Sequence, residues 1–132
     1  MIVLGASAAL AVLLNLGVGA QRIRERIDRE YDGLHVPHLF EVEVMNVLRR
    51  YALRHAFSER RGVELLEDLT TMSTYRYPHT VLLPRVWELR ESVSAYDAAY
   101  IALAETLDAT LVTRDARFFC APGVRAEVEV FG

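Results

Sequence analysis

Two carboxylates near the end of this chain have the placement to do chemistry. Asp97 stands at the entrance of a run, Ala98–Ala104, that is apolar on every side, and a helix apolar all round is a buried one. Asp115 stands just past a short strand, Thr110–Thr113, reached through a sharp turn at about Asp108–Ala109. In an open α/β sheet, ligands bind in the crevice outside the carboxyl ends of the strands. Two acids aimed at such a crevice call for a cation, because neighbouring carboxylates otherwise repel one another.

A third acid comes from an amphipathic helix over about His38–His55, whose apolar residues (Leu39, Phe40, Val44, Val47, Leu48, Tyr51) recur mostly at intervals of three and four. Embedded in it are Glu41, Glu43 and Asn46. Glu43 shares a face with Phe40, Asn46, Val47 and Arg50, at the edge of the apolar stripe. A partly buried acid there needs a partner, a metal or a raised pKa, whereas a rim glutamate keeps its head in water. Spacing leaves Glu41 and Glu43 both open. The other two acids also have a plainer reading. Ser94 and Asp97 have capping-box spacing, and Asp115 is placed to cap a short helix through Ala116–Phe119.

The elements that must position these residues read as α/β with a mainly parallel sheet. Ile2–Leu4 is a continuous apolar run, as in a strand buried on both faces. A helix from about Ala6 to Leu16 follows, stopped by Gly17 and Gly19. A charged surface helix spans Gln21–Tyr31, and Leu34–Val36 forms a strand closed by Pro37. Ser58 caps a helix to about Thr71. A polar turn with Tyr75, Tyr77 and Pro78 leads to Val81–Leu83, too short to classify. Pro84 opens a short helix to about Glu91, in which Trp87 is expected in the core or an interface. Glu127–Phe131 alternates as a half-exposed edge strand.

With 132 residues, 52% hydrophobic and 25% charged, the chain fits one folded domain over residues 1–132. Its 15 basic residues are all Arg, and a net charge of −3 argues against a generic nucleic-acid coat but not against an enzyme with a local basic patch. Arg49, Arg50, Arg54, Arg60 and Arg61 form the densest such cluster. Cys120 is the only cysteine, which excludes an intramolecular disulfide and a Cys-based zinc site, and it is expected to be a partly buried small apolar residue. His35, His38, His55 and His79 have no metal-ligand spacing, and no phosphate-binding glycine loop is present. Met1–Ala20 carries no charged side chain and resembles a secretory segment, but no Lys or Arg precedes its apolar run. The expected location is therefore the cytoplasm, with no membrane span. The secreted alternative would give a mature chain starting at Gln21.

Three pieces then line up: Ile2-Val-Leu-Gly-Ala-Ser-Ala-Ala-Leu, Glu43-Val-Met-Asn46-Val-Leu-Arg-Arg, and Tyr96-Asp97-Ala-Ala-Tyr-Ile-Ala-Leu-Ala with Leu111-Val-Thr113-Arg-Asp115. In order and spacing the whole chain resembles a PIN-domain ribonuclease of the VapC toxin type. The resemblance implies a three-layer α/β/α domain and a metal-dependent endoribonuclease whose acids hold Mg²⁺ or Mn²⁺ and cleave RNA. It selects Glu43 over Glu41 through the Asn46 that follows, matches Asp97 and Asp115 to the third and fourth acids, and makes Ser7, Asn46 and Thr113 supporting residues. It also implies a cognate antitoxin and a homodimer. One departure stands out: the first acid of the family pattern is here Gly5, which has no side-chain oxygen. Impaired activity is expected. The alternative is an inactive module of the same fold that binds antitoxin or RNA.

Overall fold

The computed structural model describes residues 1–132. Five strands, β1 (Ile2–Leu4), β2 (Leu34–Pro37), β3 (Thr74–Tyr77), β4 (Thr110–Thr113) and β5 (Val128–Val130), form one sheet in the order β3-β2-β1-β4-β5. Every neighbouring pair is parallel. Parallel strands need crossovers, and helices supply them: α1 (Ala6–Leu13), α2 (Gly17–Asp28), α3 (Phe40–Leu53), α4 (Glu59–Thr71), α5 (Leu83–Glu88), α6 (Ala95–Leu107) and the short α7 (Arg117–Cys120). The result is a three-layer α/β/α sandwich.

Burial explains why the apolar runs lie where they do. Ile2, Val3 and Leu4 have no exposed surface at all, as the central strand of a sheet covered on both faces should. Val3 pairs with His35 on one side and Leu111 on the other. Helix α6 is buried without interruption from Ala98 to Ala104 and packs on β1, β2 and β4. Its small residues let the helix approach the strands closely. Ser94 caps it by accepting the amide of Asp97 (3.2 Å), and Asp108 ends it in the left-handed conformation, φ 51°. Ser58 caps α4 in the same way through the amide of Arg61 (3.1 Å).

Several expectations need correction. Thr74–Tyr77 is a strand, not a turn; it lies at the edge of the sheet, where Tyr75 and Arg76 face solvent and blur the apolar pattern. Val81–Leu83 contributes a 3-10 turn and the start of α5, with Leu82 buried. Gly17 and Gly19 do not trail α1 but lie in the first turn of α2. Gly17 does make the reversal, at φ +74°, and the two helices meet at 110°. Trp87 is 66% exposed and so is not core, and Cys120 is exposed. No single helix is long and apolar enough to cross a membrane.

Candidate functional site

The strand order reverses between β1 and β4: from β1 the sheet grows to β2 and β3 on one side and to β4 and β5 on the other. Such a switch point opens a crevice at the carboxyl ends of the two strands. Gly5 follows β1 directly, and Asp115 lies two residues past β4. A cavity of about 190 Å³ occupies this crevice, lined by Gly5, Ser7, Glu43, Asp97, Thr113 and Asp115, with Tyr100 among its walls. Six of the seven residues singled out from the sequence therefore share one cavity. Asn46 does not: it is exposed on α3 and lines no part of it. Glu41 is also elsewhere, ion-paired to Arg76 at 2.6 Å.

The hydroxyls have a visible task. Ser7 Oγ accepts the amide of Arg114 (3.0 Å), Thr113 Oγ1 accepts the amide of Asp115 (3.1 Å), and the two hydroxyls lie 3.2 Å apart. Together they fasten the turn leaving β4 to the start of α1, which fixes where Asp115 begins. Thr113 is only 1% exposed, so its hydroxyl serves the protein rather than solvent. Gly5 is tied in from the other side, its amide donating to the carbonyl of Val112 (2.8 Å). Its backbone is ordinary extended chain, φ −70°, so glycine is not needed for conformation. A Cβ there would meet the Val112 carbonyl at 3.0 Å, a tight contact that asks for a few tenths of an ångström of give.

The acids differ sharply in their electrostatics. Glu43 is pushed up to about 7, first by burial and then by the charge of Asp97, and its Oε1 is buried with no hydrogen-bond partner. Burial also raises Asp97. Asp115 is held below the usual carboxylate range by Arg117, whose Nε lies 3.0 Å from each carboxylate oxygen and whose Nη2 lies 2.5 Å from Oδ2. The amide of Arg117 also donates to Asp115 Oδ1 (2.9 Å). Asp115 is not the N-cap of α7, a position held by Ala116 with no side-chain cap, but one residue earlier its carboxylate does accept the first amide of that helix. Turned this way it does not converge with the others, and no three acidic, His or Cys side chains stand close enough together to hold an ion. The donor set is nonetheless all oxygen, the chemistry that a hard divalent cation prefers, and a buried carboxylate oxygen without a partner is a place where such a cation fits.

Two residues escaped the sequence reading. Tyr100 lies in the run taken as uniformly apolar, but it follows Asp97 by three positions and so faces the same way; its hydroxyl is buried without a partner on the same cavity as Glu43. A tyrosine at that spacing inside a buried helix was the available signal. Arg117 had a weaker one: it lies two positions after Asp115.

A parallel α/β domain with carboxylates lining a cavity at its switch point is the class of protein that this geometry defines. The PIN domain family matches residues 2–123. The chain is 45% identical over 117 residues to the VapC ribonuclease Mb0985 of Mycobacterium bovis, covering 89% of this chain and 87% of that one. It is 36% identical over 129 residues to the ribonuclease VapC1 of Mycobacterium tuberculosis, covering 97% and 96%. It therefore belongs to the PIN-domain family, among the VapC ribonucleases. The crystal structure of VapBC2 from Rickettsia felis, bound to a DNA fragment from its promoter, matches over the whole of both chains with a TM-score of 0.72 at 15% identity, a likeness of fold.

Proposed function

We propose that this chain is a toxin-type endoribonuclease that hydrolyses RNA phosphodiester bonds with Mg²⁺ or Mn²⁺ at Asp97 and Asp115, assisted by Glu43, and that Gly5 leaves the site one ligand short. The observation that carries this reading is the pair Glu43 and Asp97: two carboxylates line one cavity, both raised by burial, and Glu43 Oε1 is buried there without a hydrogen-bond partner. Folding tolerates such an arrangement when it serves a site. A divalent cation, when bound, supplies an activated water and neutralises charge on the phosphate. The residues of the chain do the rest. Glu43, poised near neutrality, can take a proton from the attacking water. Ser7 and Thr113 hold the turn that carries Asp115. Gly5 closes the end of β1 without contributing an oxygen, so the cation is held more weakly than four acids would hold it.

Kinship with VapC ribonucleases supports a toxin role and, as its counterpart, a cognate antitoxin protein as partner. A cytoplasmic location and a homodimer complete the reading. Loss of Met1–Ala20 would remove the central strand along with Gly5 and Ser7, which supports treating that segment as part of the fold.

The experiment is cleavage of a mixed bacterial RNA pool in Mg²⁺ or Mn²⁺ by this chain and by Gly5→Asp. The expected result is EDTA-sensitive cleavage that is at least tenfold faster for Gly5→Asp. Equal rates would remove Gly5 from the argument. No cleavage by either folded protein would overturn the nuclease reading.

A further inference from the structure

The arginines that neighbour the acids are not those that cluster in the sequence. Arg49 lines an apolar groove between α3 and α4. Arg60 and Arg61 both pair with Glu64, and Arg61 reaches Asp68 as well. A second groove, about 580 Å³, shares Asp97 and Asp115 with the inner cavity and opens outward from them. Its walls include Arg90, Arg117, Ser92 and Glu91. The acids thus form the junction of an inner and an outer space, and two arginines are among the walls of the outer one.

Arg90 is built for an anion. It has no carboxylate within ion-pair distance anywhere in the chain. Its Nη1 donates to the carbonyl of Trp87 (3.0 Å), and its guanidinium lies over the Trp87 ring, 4.6 Å from the centroid. A cation held over an aromatic face keeps its charge while losing freedom, and a pre-oriented guanidinium fork suits a phosphate bidentately. This gives the exposed Trp87 a reason to be exposed: it orients Arg90. Arg117, 83% exposed along its side chain, follows Asp115 by two positions and is already among the acids.

Resting on the nuclease reading above, we propose that Arg90 and Arg117 hold the RNA phosphate next to the scissile one. The single strand then runs out along the groove between the α5–α6 connection and α7 rather than over the arginines of α3 and α4. A strand threaded this way meets acids and their cation at one phosphate and arginines at its neighbour, which sets its register.

The test is fluorescence anisotropy of a labelled single-stranded 12-nucleotide RNA with the full chain in Mg²⁺, across a salt series. Arg90→Gln, Arg117→Gln and Arg90→Lys are compared with Arg54→Gln on α3, each checked for an unchanged melting curve. Arg90→Gln is expected to weaken binding about tenfold and to flatten the log–log salt slope by about 0.7, the value for one phosphate contact on a single strand. Arg90→Lys should keep the slope while recovering only part of the affinity. If the parent binds and only Arg54→Gln weakens it, the strand lies over α3–α4 and the proposal is overturned. If the parent does not bind the RNA at all, the nuclease reading falls with it.

Discussion

Arg117 holds Asp115 by both carboxylate oxygens, from only two residues away. The contact serves as a tethered counter-ion: it occupies an acid that would otherwise face Asp97 across the cavity mouth. Because the guanidinium is largely exposed to solvent, the contact adds little to stability, and its effect falls on the ionisation of Asp115.

Arg117→Gln is therefore expected to leave the melting midpoint unchanged and to raise the pKa of Asp115 toward the ordinary aspartate value. The sign follows from the cause: hydrogen bonds from Arg117 favour the ionised form, and their loss disfavours it. Carboxyl ¹³C NMR titration reads the shift directly. In the same variant Mn²⁺ should bind severalfold more tightly, since a competing cation has gone; isothermal titration calorimetry measures that, and weaker binding would show that Arg117 arranges the site rather than guarding it.

Glu43 makes a prediction about stability and pH. Its folded pKa of about 7 lies above the ordinary 4.5, so between these values the folded state holds a proton that the unfolded state has released. Stability from this group is then full below about pH 4.5 and declines as pH rises to about 7. Glu43→Gln removes the loss. In EDTA at pH 8 the variant should be more stable than the parent by about 1–2 kcal/mol, after discounting the full shift for the half of the side chain that water still screens. At pH 4.5 the two should melt alike. Urea denaturation at both pH values decides it, and a variant less stable at pH 8 would mean that the carboxylate is satisfied.

Thr113→Val tests the turn. The substitution keeps the shape but leaves the amide of Asp115 without an acceptor in a half-buried place, a loss of about 1–3 kcal/mol in urea denaturation. Ser7→Ala should cost a similar amount through the amide of Arg114, and the double variant less than the sum, because the two hydroxyls also touch.

Much of this was legible in the residues. The apolar runs of β1 and β4, the all-apolar α6 and the Ser58 and Ser94 caps each carry a local signal that tertiary structure reinforces. Edge strand β3 carries none, because Thr74-Tyr-Arg-Tyr has one face in water and draws its hydrogen bonds from a strand 40 residues earlier (Leu34 pairs with Thr74). The choice between Glu41 and Glu43 also lay beyond spacing: Arg76, on that unread strand, is what takes Glu41 away from the acids. The proximity of Arg117 to Asp115 was visible in the chain, but not the side-chain torsions that join them. Arg90 lay inside the short helix expected from Pro84, with nothing around it in the chain to single it out.

The pairing of β1 with β4 has a consequence during synthesis. Ser7 and Thr113 are 106 positions apart, and Leu4 lies beside Val112, so the earliest strand of this sheet waits for the fourth before the middle of the sheet can close. Contacts so distant in sequence form late. A prematurely terminated product lacks β4 and Asp115 together, and so has neither the sheet's centre nor its acid floor. A chain that stops before β4 has no completed site, and whatever this site does begins only once β4 and Asp115 have been made.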